Sequence, residues 1–584
     1  MKRTAMRITA LFLAAVLCLA CAGCNNDELT QQQFDEYLST LPAEFVSGDS
    51  ININYTFYDP AAYGIEEELL TLPFSTREDW DESMVQAQEI RDRLAAFNEN
   101  ALDASSRLTR QVLIDYLDRQ LAMKDFFLLD NSYLGSYLGF QAQLPLLLAE
   151  FEFSDKQDLD SYFNLLEGST EAFHNYAEME ALRQENGVGM SQEILDGTIE
   201  QCENFSSDEN CFLIEVVGEK IDTLDFLTDE EKAQAKQRNE TLLKTVFLPA
   251  YKTLGEELSA LTGRTENLGL AAVPGGKDYY EALLWSRVGV DMSMEEVQDY
   301  LQTKLQTYLL TYIRMVQENP ELENGTSGYG GFTSAEQVLD YLGEEIKTDF
   351  PEVPGLSYEI KPVADAMKDN FSPAAYLTMR VDQPQEKPGS IYINGEYQPS
   401  LFSTLAHEGY PGHMYQDAYF HTLKLPAVRY LVDCTGYTEG WATYVEWNCA
   451  DYLTGTDAEY LEFEQVFSRV LACILSLGDI GIHYEGWNVE EFGDFLKQYL
   501  SIPEETIEAQ YTLQVEDPAN YLCYYLAGML FEDMRADAQQ QLGNDFSAKE
   551  FHQVILDCGP TSIKIVQQQM EAYLKACAAL DDAA

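Results

Sequence analysis

The chain has 584 residues, of which 46% are hydrophobic and 12% are aromatic, a composition too rich in apolar residues for a disordered protein. Aspartate and glutamate number 99 against 36 lysine and arginine residues, which gives a net charge of −63 at pH 7. This excess of negative charge disfavours binding to nucleic acid and electrostatic binding to anionic lipid.

The N-terminus has the pattern of an export signal. Three basic residues precede an apolar run from Ile8 to Ala20, and Ala22-Gly23-Cys24 follows. This pattern is typical of a signal peptide, and small residues before a cysteine are typical of a lipoprotein. We therefore expect residues 1–24 to be a lipoprotein signal and acyl chains on Cys24 to anchor the protein to a bacterial membrane, on its extracytoplasmic side. Residues 25–50 are predicted to be a polar tether.

Stretches with a helical period dominate the rest of the chain and predict a mainly α fold. A boundary near residue 264 separates a predicted N-terminal helical lobe (51–264) from a C-terminal lobe (265–577), with a cleft between them. The clearest strand candidates are 358–363 and 390–394. The helical stretches are 79–101, 105–126, 157–184, 229–262, 293–318, 334–347, 437–453, 458–478 and 520–542.

The cysteines after the signal include no Cys-x-x-Cys pair, so a zinc site made of cysteines is not expected. Cys202 and Cys211 are a candidate disulfide in an exported protein. The alternative is that they are buried free thiols, the commoner state of cysteines on apolar faces.

Residues 407–413 read His-Glu-Gly-Tyr-Pro-Gly-His, which brings two of the six histidines and a carboxylate together. Imidazole ligands beside a carboxylate base are typical of hydrolytic zinc sites. On a regular helix the i+6 spacing would separate the histidines by about 240°, too far for one ion. Pro411 must break the helix, however, and Gly412 can redirect His413 towards the metal. The alternative is a surface turn with two incidental histidines.

Glu439 lies 26 residues after His413, in the stretch Thr-Glu-Gly-Trp-Ala-Thr-Tyr-Val-Glu that ends at Glu446. Its aromatic neighbours predict a mostly buried helix, where an unpaired carboxylate is costly. We predict that Zn²⁺ binds His407, His413 and Glu439, which leaves a fourth position for water. Thr443 or Glu446, on the same helical face, would orient a ligand. The alternative for Glu439 is a solvated carboxylate.

These motifs resemble those of the bacterial domain of unknown function 885, which is grouped with gluzincin-type metallopeptidases. The matching motifs are His-Glu-x-x-Pro-Gly-His and Glu-Gly-Trp-Ala, with further similarity at 274–280, 388–394 and 518–552. The resemblance extends over roughly residues 265–575. It implies a helical, two-lobed metallopeptidase-like fold with a small β-sheet beside the active-site cleft, zinc as cofactor, and a peptide substrate.

The same resemblance implies that Ile391–Asn394, including Tyr392 and Asn394, is an edge strand that pairs with the substrate backbone. The alternative is an ordinary hairpin strand. His552 resembles the Phe-His pair of the family and is expected to form a hydrogen bond in the transition state.

Glu408 is the predicted general base. The oxyanion needs a further donor, and the tyrosines at 521, 524 and 525 share one helical face; we assign the donor to Tyr524 first and Tyr525 second. Such a stripe can equally pack in the core. Arg380 or Arg535 would bind a substrate carboxylate through two hydrogen bonds; the alternative for each is a solvated or helix-stabilising arginine.

The sequence therefore predicts a lipid-anchored, extracytoplasmic zinc metallopeptidase that acts on short peptides as a carboxypeptidase or dipeptidase. The alternative is a lipoprotein of the same fold that binds zinc or peptide without turnover. Glu408 favours the enzyme, because a binding protein needs no base beside a metal ligand.

Overall fold

The computed structural model describes residues 30–46, 49–65, 72–137, 139–207, 211–323, 329–363, 368, 372–384 and 387–581. The predicted signal peptide with Cys24, and residues 25–29 of the predicted tether, lie outside the described residues. The fold of the described part is mainly α, as predicted, with a small β-sheet.

Local sequence signals determine where several of the helices begin. Five of the helices begin with a capping box, in which the N-cap residue and the residue three positions later each accept, through the side chain, a hydrogen bond from the backbone N–H of the other. The N-cap residues are Thr30, Thr76, Thr228, Ser293 and Asn488. The helices before residue 260 are α1 (Gln31–Leu38), α2 (Pro42–Phe45), α3 (Ser50–Thr56), α4 (Arg77–Ala95), α5 (Ala104–Ala122), α6 (Phe127–Asp130), α7 (Phe140–Glu150), α8 (Lys156–Glu185), α9 (Gln192–Ser207), α10 (Leu213–Thr223), α11 (Asp229–Leu242) and α12 (Leu248–Leu258).

The second half of the chain carries the longer helices and the sheet. Its helices are α13 (Gly276–Leu283), α14 (Met294–Glu318), α15 (Ala335–Glu345), α16 (Leu401–Glu408), α17 (His413–Thr422), α18 (Thr435–Trp447), α19 (Thr456–Ile480), α20 (Val489–Leu496), α21 (Glu504–Glu516), α22 (Ala527–Leu542), α23 (Ala548–Cys558) and α24 (Ile563–Asp581).

The polar-tether prediction does not hold from Gln31 onward. Phe34, Leu38 and Leu41 are only 0%, 2% and 1% exposed. Their i, i+4, i+7 spacing gives this segment one apolar face, which packs in a cluster with buried residues of α4 and α5 and with Val428 and Val432. The segment is therefore part of the folded body.

The sheet consists of β1 (Tyr358–Pro362), β2 (Ala374–Leu377) and β3 (Gly389–Ile393), in the order β1-β3-β2. β3 pairs in parallel with β1 and antiparallel with β2. The prediction that Ile391–Asn394 forms an edge strand is wrong, because β3 is hydrogen-bonded on both sides and has no free edge for a substrate. The edge strands of this sheet are β1 and β2.

The two largest clusters of buried apolar residues lie mainly in residues 279–574 and in residues 51–258. A smaller cluster joins the sheet to α16 and α17, with Ile391 and Ile393 against Leu405 and Met414. Cys202 and Cys211 are both buried in the apolar cluster of residues 51–258.

One helical stretch among the described residues, Thr456–Glu485, is long and apolar enough to cross a membrane by length and composition. Within its most apolar window, 78% of the residues are buried inside the protein. It packs along α14 and supplies many residues of the largest core cluster, which accounts for its composition.

Candidate metal centre

A chain reversal brings the two histidines of the heptapeptide together. His407 lies in the last turn of α16, the helix ends at Glu408, and His413 begins α17. The Gly412 N–H donates to the Ala406 carbonyl at 2.9 Å, and a Cβ at Gly412 would lie 1.7 Å from the His407 carbonyl oxygen. Only glycine fits at this close approach. The two imidazole rings consequently lie 4.8 Å apart between centroids.

Glu439, on α18, completes the group. Its Oε2 lies 3.6 Å from His407 Nε2 and 3.3 Å from His413 Nε2. The ligand atoms of the three side chains all lie within 4.8 Å of one another. The Trp441 indole N–H donates to the Pro411 carbonyl at 2.9 Å, which fixes α18 against the chain reversal.

These three side chains fit a metal ion. Glu439 Oε2 is buried and has no hydrogen-bond partner among the described residues, which is costly for a carboxylate. Burial lowers the pKa of His407, but Glu439 and Glu446 outweigh this and raise it to about 10. Burial likewise raises the pKa of Glu439, but His407 and His413 hold it well below its usual range. The group therefore favours a positive charge, which a bound cation would supply.

Glu446 orients the first ligand. Its Oε2 lies 3.0 Å from His407 Nδ1, on the far side of the ring from Glu439. A carboxylate in this position fixes the tautomer in which Nε2 is free to bind metal. Thr443, the other predicted candidate, is buried beside Gly528.

Glu408 is held by the edge of the sheet. Its Oε2 accepts a hydrogen bond from the Tyr376 backbone N–H of β2 at 2.8 Å. Asp417 accepts from the Tyr376 hydroxyl at 2.9 Å and from the Met379 N–H at 2.7 Å. The sequence analysis did not identify Tyr376 or Asp417. Asp417 lies four residues after His413, on the same helical face, and this spacing is the signal that could have identified it.

Of the two candidate tyrosines, Tyr524 lies beside the ligands. Both belong to a π-helical turn, Leu522–Leu526, ahead of α22. The Tyr524 ring lies 6.4 Å from that of His407, nearly parallel to it. Burial, and then Glu439, raise the pKa of Tyr524, so its hydroxyl stays protonated and can donate. Tyr525 instead stacks on Trp447 at 6.0 Å.

His552 is engaged elsewhere. Its Nδ1 lies 2.6 Å from the Asp349 carbonyl oxygen and its Nε2 lies 2.8 Å from the Tyr444 hydroxyl. Burial lowers its pKa to about 3, so the ring is neutral. The described contacts do not bring it to the three ligands.

Neither predicted arginine contacts the ligand group in the described part of the chain. The Arg380 guanidinium lies 3.3 Å from Asn54 Oδ1, 3.7 Å from Glu152 Oε2 and 4.3 Å above the Tyr58 ring. Arg535 Nη1 lies 3.4 Å from Asn448 Oδ1.

The two predicted substrate-binding residues, Tyr392 in β3 and Asn394 just after it, have other partners. Successive side chains of a strand point to opposite faces. Ile391 and Ile393 face α16, so Tyr392 lies on the other face, where its hydroxyl donates to Glu150. Asn394 Nδ2 donates to the Lys368 carbonyl at 2.8 Å.

Residues 62–570 match the family described as bacterial protein of unknown function (DUF885). No curated protein matches the chain. The crystal structure of a candidate lipoprotein from Colwellia psychrerythraea has a TM-score of 0.81 at 17% identity, covering 94% of this chain and 100% of that chain. A candidate lipoprotein of unknown function from Shewanella oneidensis has a TM-score of 0.61 at 14% identity, covering 93% of this chain and 99% of that one. At these identities the likeness shows the fold alone.

Proposed function

The chain belongs to the DUF885 family of bacterial proteins, and we propose that it is a zinc-dependent peptidase that hydrolyses short peptides. One observation carries the proposal. Two imidazoles converge within 4.8 Å of a buried carboxylate oxygen that has no hydrogen-bond partner among the described residues, and a further carboxylate, Glu408, directly follows one of the histidines. Ligands and base of this kind are typical of zinc hydrolases.

His407, His413 and Glu439 would hold the zinc ion, which would supply an acidified water and a polarised carbonyl group to the reaction. Glu408 accepts the water proton and passes it to the leaving amine. The Tyr376 N–H orients the Glu408 carboxylate for this role. Tyr524, protonated beside the ligands, donates to the developing oxyanion.

We also propose that the protein acts outside the cytoplasm, anchored through lipid on Cys24. The basic residues, apolar run and small residues before Cys24 support this location. Both structural neighbours of high TM-score are described as candidate lipoproteins. The proposed reaction is cleavage of short peptides by carboxypeptidase or dipeptidase action.

The test combines metal analysis with a digest of mixed peptides. The zinc-loaded full chain should release products that mass spectrometry detects. Glu408→Gln should keep its zinc and its fold but turn over about 10²–10⁴-fold more slowly, because the general base is gone. Stoichiometric zinc without any product would instead support the alternative, a lipoprotein that binds zinc or peptide without cleaving. Wild-type turnover in Glu408→Gln would assign the base to another residue.

A further inference from the structure

A cavity of about 480 Å³ lies between segments from both halves of the chain. Pockets for small ligands typically measure about 300–1,000 Å³. The three metal ligands do not line this cavity, but Thr435, the first residue of α18, does. Glu439 follows four residues later, about 6 Å further along the helix. The cavity therefore reaches the helix that carries Glu439, about one turn before that residue.

Arg183 brings a nearly buried guanidinium group to the wall of this cavity. Its side chain lines the wall and is 7% exposed. Nη2 donates to the Val188 carbonyl at 3.1 Å, and Nη1 lies 3.7 Å from Glu180 Oε2. Nε and Nη1 have no hydrogen-bond partner among the described residues. A guanidinium group that is buried with few acceptors is costly, so an anion in the cavity would stabilise its positive charge.

A second arginine reinforces the positive charge. Arg264 lines the same cavity and uses Nε and Nη2 for the carbonyls of Gly189 and Leu268, at 2.8 and 3.1 Å. Burial, and then the like charge of the neighbouring Arg183, lower the pKa of Arg264. Glu180 supplies one negative charge against these two positive ones. Among these three side chains, the two guanidinium groups exceed the one carboxylate by one positive charge.

The remaining walls limit the ligand class. The third arginine of the lining, Arg287, pairs with Asp517 at 2.8 Å. Asp130, Asp433 and Glu516 line other parts of the cavity. These carboxylates disfavour a dianion such as phosphate but can accept hydrogen bonds from amine or amide N–H groups. A ligand with one carboxylate and several N–H donors fits this distribution.

We propose that the cavity binds a short peptide through its C-terminal carboxylate, which Arg183 and Arg264 hold, with the rest of the peptide directed along α18 towards Glu439. Three extended residues span about 10 Å, enough to follow the first turn of that helix. The assignment of this peptide as substrate rests on the proposed function. Binding of the carboxylate does not require turnover.

Calorimetry on the zinc-loaded full chain carrying Glu408→Gln tests the inference, because the peptide then survives the titration. The probes are trialanine, trialanine amide and inorganic phosphate. We expect the free acid to bind at least about tenfold more tightly than the amide, since the amide loses charge-assisted hydrogen bonds. Phosphate should not displace the free acid at equal concentration.

Two variants in this background locate the carboxylate. Arg183→Leu is combined with Glu180→Gln, so that no buried charge is left unpaired and an acceptor remains for the Met190 N–H. Arg264→Gln is the second variant. Each should bring the affinity for the free acid down to that for the amide. Arg238→Gln, which removes an exposed guanidinium on α11, is the control and should keep the preference. Melting curves verify folding, and Arg264→Gln carries the test if the Arg183 variant fails to fold.

Equal affinity for acid and amide would overturn the inference. So would an unchanged preference in folded cavity variants, a preference lost in Arg535→Gln instead, or displacement of trialanine by phosphate. A zinc-loaded wild type that cleaves nothing, with the acid preference intact, would overturn the proposed function alone. Cleavage with equal binding of acid and amide would overturn this inference alone.

Discussion

A bound cation would stabilise the carboxylate oxygen of Glu439 that faces both imidazoles. This oxygen is buried, it lies within 3.6 Å of two ring nitrogens, and no hydrogen bond satisfies it within the described residues. Each of the three side chains comes from a different helix. Removing one of these side chains leaves two ligands, whereas catalytic zinc sites typically have three protein ligands.

We predict that His413→Ala loses its zinc. The change removes one of three ligands without disturbing Glu446, which still orients His407. Zinc content after dialysis, measured by elemental analysis, checks the outcome. His174→Ala is the matched control, because that ring is 54% exposed and pairs with Glu257 at the surface; it should keep one zinc per chain. Full occupancy in His413→Ala would show that the ion binds elsewhere.

At the scale of elements, the chain reversal between α16 and α17 sets the site. The sequence placed the helix break at Pro411 and assigned the redirection to Gly412. The structure ends α16 at Glu408 and makes Gly409 its C-terminal cap. Gly412 has φ of −78° and ψ of −137°, outside the helical and extended regions, and its close contact with the His407 carbonyl also leaves no room for a side chain.

Gly412→Ala should therefore weaken zinc binding and lower the melting temperature. An added Cβ would lie 1.7 Å from the His407 carbonyl oxygen, so the backbone must move and carry His413 with it. Gly168→Ala is the control, because nothing lies within 4 Å of the added carbon and the residue is inside α8. This control should be neutral or slightly stabilising. Unchanged zinc affinity in Gly412→Ala would contradict the steric argument.

Asp479 joins three elements and makes stability depend on pH. It is fully buried on α19, where Tyr280 of α13 donates to it and the Ala519 N–H donates at 3.1 Å. Burial raises the pKa of Asp479 from an ordinary 3.8 to about 7. The folded state therefore keeps a proton that the unfolded state loses, and this contribution falls as pH rises from about 4 to 7.

Asp479→Asn removes that titration while keeping an oxygen acceptor for Tyr280 and Ala519. The free energy of unfolding of the wild type, relative to the variant, should be more favourable at pH 5 than at pH 8. Urea denaturation at both pH values measures it. The same difference at both pH values would show that Asp479 ionises in the folded protein as it does in solution.

The helices could be predicted because a period of 3.6 residues is a local signal, and the nine predicted stretches all contain helix. The central position of β3 in the sheet could not be predicted, because an edge strand and a central strand differ only in their pairing with strands that are distant in sequence. β2 was missed because Ala-Ala-Tyr-Leu is too short to show alternation. The group at 407, 413 and 439 could be predicted, since its residue types are rare together; the engagement of Arg380 and His552 depends on contacts distant in sequence.

At the scale of the whole molecule, the proposed lipid anchor, Cys24, precedes the first described helix. Cys24→Ser should move the protein from the membrane fraction to the soluble fraction, because it removes the site of the acyl chains. Cys21→Ser is the matched control, three residues earlier in the same segment, and should stay with the membrane. Detergent phase partitioning after fractionation measures both. A Cys24→Ser protein that remains in the membrane fraction would require another anchor.

The hydrogen bond from Trp441 to the Pro411 carbonyl ties α18 to the segment between the two histidines. A cation bound by His407 and Glu439 would join the same two regions a second time, across 32 positions of the sequence. In polymer terms the bound cation would act as a cross-link that closes a long loop of the chain. The free energy of metal binding would then offset the conformational entropy that the chain loses when this loop closes. The supply of metal would thereby set how long this chain resists unfolding and proteolysis, as well as whether it can react.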